Sequence, residues 1–407
     1  MKKKILSILM SAALVFSLAA CGSSTSGTST SSEAETTAED TTTEAAVSET
    51  EAASTEAAST EAAGEAIKIA IVSSPSGVDD GSFNQDNYNG ILSFIEEYPT
   101  ATVTPVQEQT GDVAAAVQAV ADIVADYDVI VCCGFQFAGI ASIAQDNPDV
   151  NFILVDTYPS DADGNEVEVD NIYAMTFAEQ ESGFFAGMAA AMETQTNKVA
   201  VVNGIAYPSN VNYQYGFECG VKYVNETQGK TVEIVEIASY AGTDVTGVNV
   251  GGNYVGGFND VATGKVVGSA LIGEGVDIIF VAAGNSGNGV FTAAMETEGI
   301  YVIGCDVDQF DDGVSGDRNV VLTSALKVMH SAVQVALESV ADGTFAGGNV
   351  LLTATTDSTG IVTASDRSQL STETIAAIDE TYPLVKDGTI IPAANFNGVT
   401  PDTFTWE

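Results

Sequence analysis

The chain has 407 residues, with 12 Lys and Arg against 56 Asp and Glu and a formal charge of −44 at pH 7. A negative field of that size repels phosphate backbones and anionic headgroups, which argues against nucleic-acid binding. One His and five Cys leave little material for a His-based triad or a zinc cluster, whereas 45% hydrophobic residues and 39 Gly suit a globular α/β chain.

Lys2, Lys3 and Lys4 precede an apolar run from Ile5 to Ala20, too short for the roughly twenty residues of a membrane span and suited to a signal peptide over residues 1–20. Its end, Leu18-Ala19-Ala20-Cys21-Gly22, resembles the lipobox of bacterial lipoproteins, which implies a lipid on Cys21 and a chain held on the extracytoplasmic face of the bacterial cell membrane. An ordinary small-residue cleavage beside a Cys is the alternative. Residues 21–66 then read as the lipidated Cys and an acidic tether. The stretch is almost wholly Ser, Thr, Ala and Glu, with Ser54 to Ala58 repeated at Ser59 to Ala63, and offers too little apolar surface to offset the entropy of ordering it. Without the signal lysines and the tether acids, the body still carries nine bases against 46 acids, so its long-range field disfavours anionic solutes.

Ile67 to Ser73 is a β-branched run ending in a Ser, Pro and Gly cluster, and Asn87 to Glu97 has helical spacing. Strands are expected at Val103 to Val106, Asp128 to Cys133, Asn151 to Val155, Lys198 to Val202, Val232 to Ile237, Asp277 to Val281 and Tyr301 to Gly304. Helices are expected between them, at Asp112 to Ala125, Gly139 to Gln145, Glu179 to Met192, Asn212 to Val224, Gly264 to Gly273, Gly289 to Thr297 and Leu326 to Ala341. Alternation of this kind implies parallel sheets covered on both faces, with ligand groups at the strands' C-terminal ends. Ser73 and Ser74, Gly134, Asp156, Asn203, Gly284 and Asp306 all stand at such ends. About eight units exceed one half-domain, so two α/β lobes around a cleft are favoured over a TIM barrel.

Several short stretches carry candidate chemistry. Gly284-Asn285-Ser286-Gly287-Asn288-Gly289 joins a strand to a helix; it either cradles a polar group or simply makes a tight turn, and it lacks the Gly-Lys-Ser/Thr of a phosphate loop. Asp306-Val307-Asp308-Gln309-Phe310-Asp311-Asp312 puts Phe310 where an EF-hand needs a ligand, so no metal is assigned. A carboxylate there suits the two hydroxyls of a vicinal diol, with a solvated acidic turn as the alternative. Asp80 or Ser82 can cap the first helix, and Phe83 beside them is placed either to stack on a flat heteroaromatic ring or to pack in the core. Cys132 and Cys133 are adjacent on one strand, point to opposite faces and are not a plausible disulfide. Asp79, Asp80 and Asp306 also keep open a lipid-anchored hydrolase of nucleosides or sugars, and a sensing surface lipoprotein is a third reading.

Taken together, Asp79-Asp80-Gly81-Ser82-Phe83-Asn84-Gln85, Asn147-Pro148-Asp149, Tyr215-Gly216-Phe217-Glu218, Gly257-Phe258-Asn259-Asp260, Ala282 to Val290 and Val302-Ile303-Gly304-Cys305-Asp306 resemble the basic membrane protein family, the purine-nucleoside-receptor type of ABC-transporter substrate-binding lipoprotein. The resemblance runs from about Ile67 to Thr359. It implies a type I periplasmic-binding-protein fold, two doubly wound lobes joined by three hinge crossovers near Asn171 to Thr176, Gly304 to Asp308 and Thr344 to Leu351. Lobe 1 would then hold residues 67–173 and 306–346, and lobe 2 residues 174–305 and 347–407. By motif, Phe83 would stack on a purine, Asp156 would read the base edge, Asp306 and Lys327 would hold the ribose, and Phe258 would be a second aromatic contact. Ser74, Asn84, Gly284 and Asn285 complete the expected ligand set. Ser74 stands where the family often has Asp, and Ser239 to Asn253 is longer than the family pattern. The resemblance implies a non-enzymatic receptor without a cofactor, partnered by a membrane permease.

Overall fold

The computed structural model describes residues 66–406. The signal segment, Cys21 and nearly all of the expected tether lie outside that range.

The first half of the body alternates β1 (Lys68–Ser73), α1 (Phe83–Glu97), β2 (Thr102–Gln107), α2 (Val113–Ile123), β3 (Val129–Cys133), α3 (Ala141–Asp146), β4 (Asn151–Val155) and β5 (Ile172–Phe177). The second half holds α4 (Glu179–Glu193), β6 (Lys198–Asn203), α5 (Pro208–Gln228), β7 (Glu233–Ile234), a small hairpin of β8 (Gly242–Thr243) and β9 (Asn249–Gly251), then β10 (Asn253–Tyr254) and α6 (Val261–Gly273). It continues with β11 (Ile278–Ala282), α7 (Gly287–Met295), β12 (Tyr301–Asp306), a hairpin of β13 (Val314–Ser315) and β14 (Arg318–Asn319), and β15 (Val321–Lys327). The last elements are α8 (Met329–Ala341), β16 (Gly348–Leu352), β17 (Thr359–Ile361) and α9 (Thr372–Lys386).

Two main sheets result, ordered β16-β5-β4-β3-β1-β2 and β10-β6-β11-β12-β15-β17. The first is parallel throughout, and in the second only β17 runs antiparallel to its neighbour. Alternation along the strands sends side chains into two layers. Ile69, Ile71, Val129, Val131 and Cys133 pack under α1 and α8, while Ala70, Val72, Ile130 and Cys132 pack under α2 and α3. Cys132 and Cys133 are therefore on opposite faces, both buried and unbridged. Each fully buried Phe, such as Phe94 or Phe280, contributes about 1.5–3 kcal/mol by leaving water.

The second lobe uses a closer helix contact. Along α4 and α5, a Cβ on Gly187 would fall on the Phe217 carbonyl, and one on Gly220 on the Phe184 carbonyl. Only a hydrogen at these positions lets the two backbones touch, and the pair covers the face formed by Val199, Val201, Phe280 and Ile303.

The chain passes between the sheets three times, after β5, after β15 and after β16. Residues 306–327, expected in lobe 1, instead belong to the second sheet, because β12 continues to Asp306 and pairs with β15. The second passage is thus at Lys327 and Val328. The third follows Leu352, since β16 pairs with β5 of the first sheet. Leu326 and Lys327 end a strand and do not begin a helix; the helix starts only at Met329. That second passage is pinned on both sides. Ser182 Oγ donates to the Leu326 carbonyl at 2.7 Å, and the buried Asp86 carboxylate of α1 accepts the Met329 and His330 amides at 3.2 and 3.0 Å, satisfying the open N-terminus of α8.

Candidate functional site

Strand ends from both sheets converge on one cavity. It is lined from lobe 1 by Ser74, Ser76, Asp80, Phe83, Asn84, Phe135, Gln136 and Asp156, and from lobe 2 by Tyr207, Ser209, Asn210, Tyr213, Phe258, Gly284, Asp306 and Lys327. Its empty volume, counting the open space at its mouth, is about 570 Å³. Eight of the nine residues expected from the sequence meet there. The exception is Asn285, whose amide instead donates to Asn259 Oδ1 at 2.6 Å and accepts from Asn288 at 2.9 Å. The 3₁₀ turn over Gly284–Ser286 spends Asn285 on the outer rim, so it is not a cavity residue.

The polar pole of the cavity is built around Lys327. Its Nζ lies 2.7 Å from Asp156 Oδ2, 3.6 Å from Asp306 Oδ1 and 3.8 Å from Glu179 Oε1, and its side chain is 2% exposed. Burial works against the lysine charge, but the three carboxylates outweigh it and hold the ammonium above its ordinary pKa. Among the acids, burial pushes Glu179 up to about 8 against the pull of Lys327, and it raises Asp156 as well. Burial thus favours the neutral form of Glu179 and of Asp156, and Lys327 opposes it at both. Removing either sign from such a cluster is costly, because the remaining charge is buried without a partner.

Asp156 and Asp306 occupy matching places at the ends of β4 and β12 and both have left-handed backbones, with φ of 67° and 69°. Non-glycine residues held there carry local strain, and Asp and Asn tolerate it best. Asp306 also accepts from Tyr213 Oη at 2.9 Å and from Ser82 Oγ at 3.2 Å across the cleft. The cap of α1 is divided accordingly. Asp80 accepts the amides of Ser82, Asn84 and Gln85, while the Ser82 hydroxyl is left for the other lobe. Burial raises the Asp80 pKa, partly offset by those same amides. Of the acids in the hydrolase reading, Asp80 and Asp306 line the cavity and Asp79 does not.

Aromatic rings form the rest of the wall. Phe83 lines the cavity while also packing against the core under α1, and Lys327 Nζ stands 4.8 Å from its ring centre. Phe135 meets Tyr207 across the cleft at 5.2 Å between ring centres, and Tyr207 meets Phe258 at 5.9 Å. A Cβ on Gly204 would collide with the Phe258 ring, and Gly284, at φ 51°, lies against the same side chain. Gly204, at the end of β6, thus makes room for an aromatic ring. At the lips, Ser76 Oγ donates to the Phe258 carbonyl at 3.1 Å and Asn259 Nδ2 to the Pro75 carbonyl at 2.9 Å. The lobes are in contact around the cavity.

Phe135, Gln136, Tyr207, Ser209, Asn210 and Tyr213 were not expected from the sequence. Gly134, flagged at the end of β3, is the signal that pointed to Phe135 and Gln136. Tyr207 to Tyr213 follow β6 by the same strand-end logic.

A family model described as ABC transporter substrate-binding protein PnrA-like matches residues 67–237 and 238–391. The chain belongs to this family. Among relatives of this PnrA-like protein, the ABC transporter nucleoside-binding protein BmpA of Lactococcus lactis subsp. cremoris is 28% identical over 306 residues, 70% of this chain and 78% of that protein. The CD4+ T-cell-stimulating antigen of Listeria monocytogenes is 27% identical over 343 residues, 79% and 87% of the two chains. Basic membrane protein A1 of Borrelia garinii subsp. bavariensis is 29% identical over 276 residues, 67% and 73%. A solute-binding protein of an ABC transporter system from Aeropyrum pernix K1 superposes with a TM-score of 0.65 at 22% identity, covering 83% of this chain and 96% of that one. That likeness establishes the two-lobed solute-binding fold of the PnrA-like chain.

Proposed function

We propose that this ABC-family substrate-binding protein captures a purine nucleoside between its lobes, unaltered, and presents it to a membrane permease while a lipid on Cys21 holds it at the extracytoplasmic face of the cell membrane. One observation carries the reading: the cavity pairs an aromatic wall with an acidic pole, and both are built from the two lobes together. A base gains about 1–3 kcal/mol from stacking on an aromatic side chain, and a ribose diol can donate to a carboxylate. A guest touching both lobes favours their closed arrangement, as a population shift requires. The two aspartates facing one lysine disfavour a phosphorylated guest. The relative named as nucleoside-binding supports the same ligand class.

Calorimetric titration of the body (residues 66–407) with inosine, guanosine, adenosine and their 5′-monophosphates tests this. Nucleosides should bind and monophosphates should not. Phe83→Ala and Asp306→Ala should each weaken nucleoside binding, the former by about ten- to a hundredfold. Normal binding by both variants refutes the site. Recovery of the nucleoside intact after long incubation separates capture from hydrolysis.

A further inference from the structure

The loop from Gly284 to Gly289 gives the cavity only Gly284, and its asparagines are spent at the mouth. Asn288 Nδ2 donates to Asn285 Oδ1 at 2.9 Å, Asn285 Nδ2 donates to Asn259 Oδ1 at 2.6 Å, and Asn259 Nδ2 crosses the cleft to the Pro75 carbonyl at 2.9 Å. A carbonyl can only accept, so the last bond fixes the orientation of all three amides. Ser286 of the same loop holds the segment before Asn259. Its amide donates to the Phe258 carbonyl at 3.0 Å, and its hydroxyl donates to the Gly257 carbonyl and accepts the Asp260 amide, both at 2.8 Å.

The two lips are built alike. The Pro75 carbonyl of lobe 1 accepts from Gln107 Nε2 of its own lobe at 2.6 Å and from Asn259 of the other. The Phe258 carbonyl of lobe 2 accepts from the Ser286 amide of its own lobe and, at 3.1 Å, from the Ser76 hydroxyl of the other. A carbonyl oxygen has two lone pairs, and in each lip one is filled at home and one across the mouth. The home bonds do not depend on closure and keep each carbonyl aimed, so the crossing bonds form without reordering either lip.

We propose that these reciprocal bonds are a latch, in which Asn259, steadied by Asn285, sets how long a captured guest is retained without reading what the guest is. The inference rests on capture between the lobes and not on the identity of the solute. A contact made only when the lips meet favours the closed arrangement by its own free energy, added to whatever the guest supplies. Ser76 also lines the cavity, whereas Asn259, Asn285 and Asn288 do not, so Asn259 is the positioning residue that isolates the latch.

Asn259→Asp keeps the shape of the side chain and cannot donate to the Pro75 carbonyl, and Asn259→Ala removes the side chain. A stopped-flow chase of bound 2-aminopurine riboside with excess guanosine reads release. Both variants should speed it about two- to tenfold, the range that one net hydrogen bond supports, and should weaken inosine, guanosine and adenosine by one common factor in calorimetry. Asn285→Ala should speed release less, and Asn259→Ala/Asn285→Ala no more than Asn259→Ala alone, because Asn285 works through Asn259. Unchanged release, losses that differ from one nucleoside to the next, or additive effects of the two asparagines overturn the latch. A second measurement needs no guest. Spin labels at Gln118→Cys on α2 and Val266→Cys on α6, both exposed positions, report the distance between lips, the four described cysteines being buried. That distance should lengthen in Asn259→Asp. If the native chain binds no nucleoside, nucleoside capture falls while the distance still decides the latch, and an unchanged distribution overturns it.

Discussion

Replacing Lys327 with Met keeps the length of the side chain and removes its charge. Three carboxylates within 3.8 Å of Nζ are then left in a buried pocket with no cation. Breaking a buried pair by removing one partner costs about 3–5 kcal/mol, which for a body of this size lowers the melting temperature by about 4–7 °C. The loss should also depend on pH, and its sign is fixed by the acids. Burial already pushes Glu179 up to about 8 from an ordinary 4.5, and without the lysine Asp156 and Glu179 both move further up. Between the ordinary and the raised values the folded form binds more protons than the unfolded chain, so stability rises as pH falls. The melting gap between Lys327→Met and the native protein should therefore be widest near pH 8 and narrow toward about pH 5. Differential scanning calorimetry at several pH values, with Lys327→Met/Asp156→Asn as the partly relieved double variant, measures this. A gap below about 2 °C that does not change with pH refutes the claim that the three acids depend on this lysine.

Two further outcomes follow from the packing. Gly220→Ala sets a methyl on the Phe184 carbonyl where α4 and α5 touch, and should destabilise the body by about 1–3 kcal/mol or more, seen as a lower urea midpoint; an unchanged midpoint would mean the helices can separate freely. His330, 3.0 Å from Asp86 Oδ1, is raised above its ordinary 6.5 by its hydrogen bond to that carboxylate, against partial burial. Its stabilising contribution is complete below pH 6.5 and fades as pH climbs through the raised value. His330→Gln should remove that part of the pH profile, and a profile identical to the native one rejects the pairing.

Much of the architecture was legible because β1, β3 and β4 are short apolar runs buried along nearly their whole length, with segments of helical spacing between them. The boundaries that failed share a cause. Val321 to Lys327 mixes apolar residues with Thr323, Ser324 and Lys327 and is separated from α8 by one residue, so its last two residues read as the start of the helix; pairing with β12 and β17 makes it a strand. The second crossover, which the resemblance places near Gly304 to Asp308, comes some twenty residues later because β15 returns to the second sheet. At the site, motif spacing located groups at strand ends, because those ends must converge in a parallel sheet. It could not say which neighbour each side chain faces. Asn285 has the right position in the chain and the wrong direction, and Tyr207 owes its place to a crossing between lobes that no local window contains.

The pinning of the second passage has a mechanical result. Leu326 is tied to one half and Met329 to the other, so any swing there must be taken up at Lys327 and Val328, and Lys327 sits on the pivot itself. Points on a rotating body travel in proportion to their distance from the axis. The lysine and its acids therefore keep their mutual geometry through opening, while the Ser76 and Asn259 contacts at the lips travel furthest and part first. The charged floor, with Phe83 beside it, therefore moves less than the lips through which a guest enters.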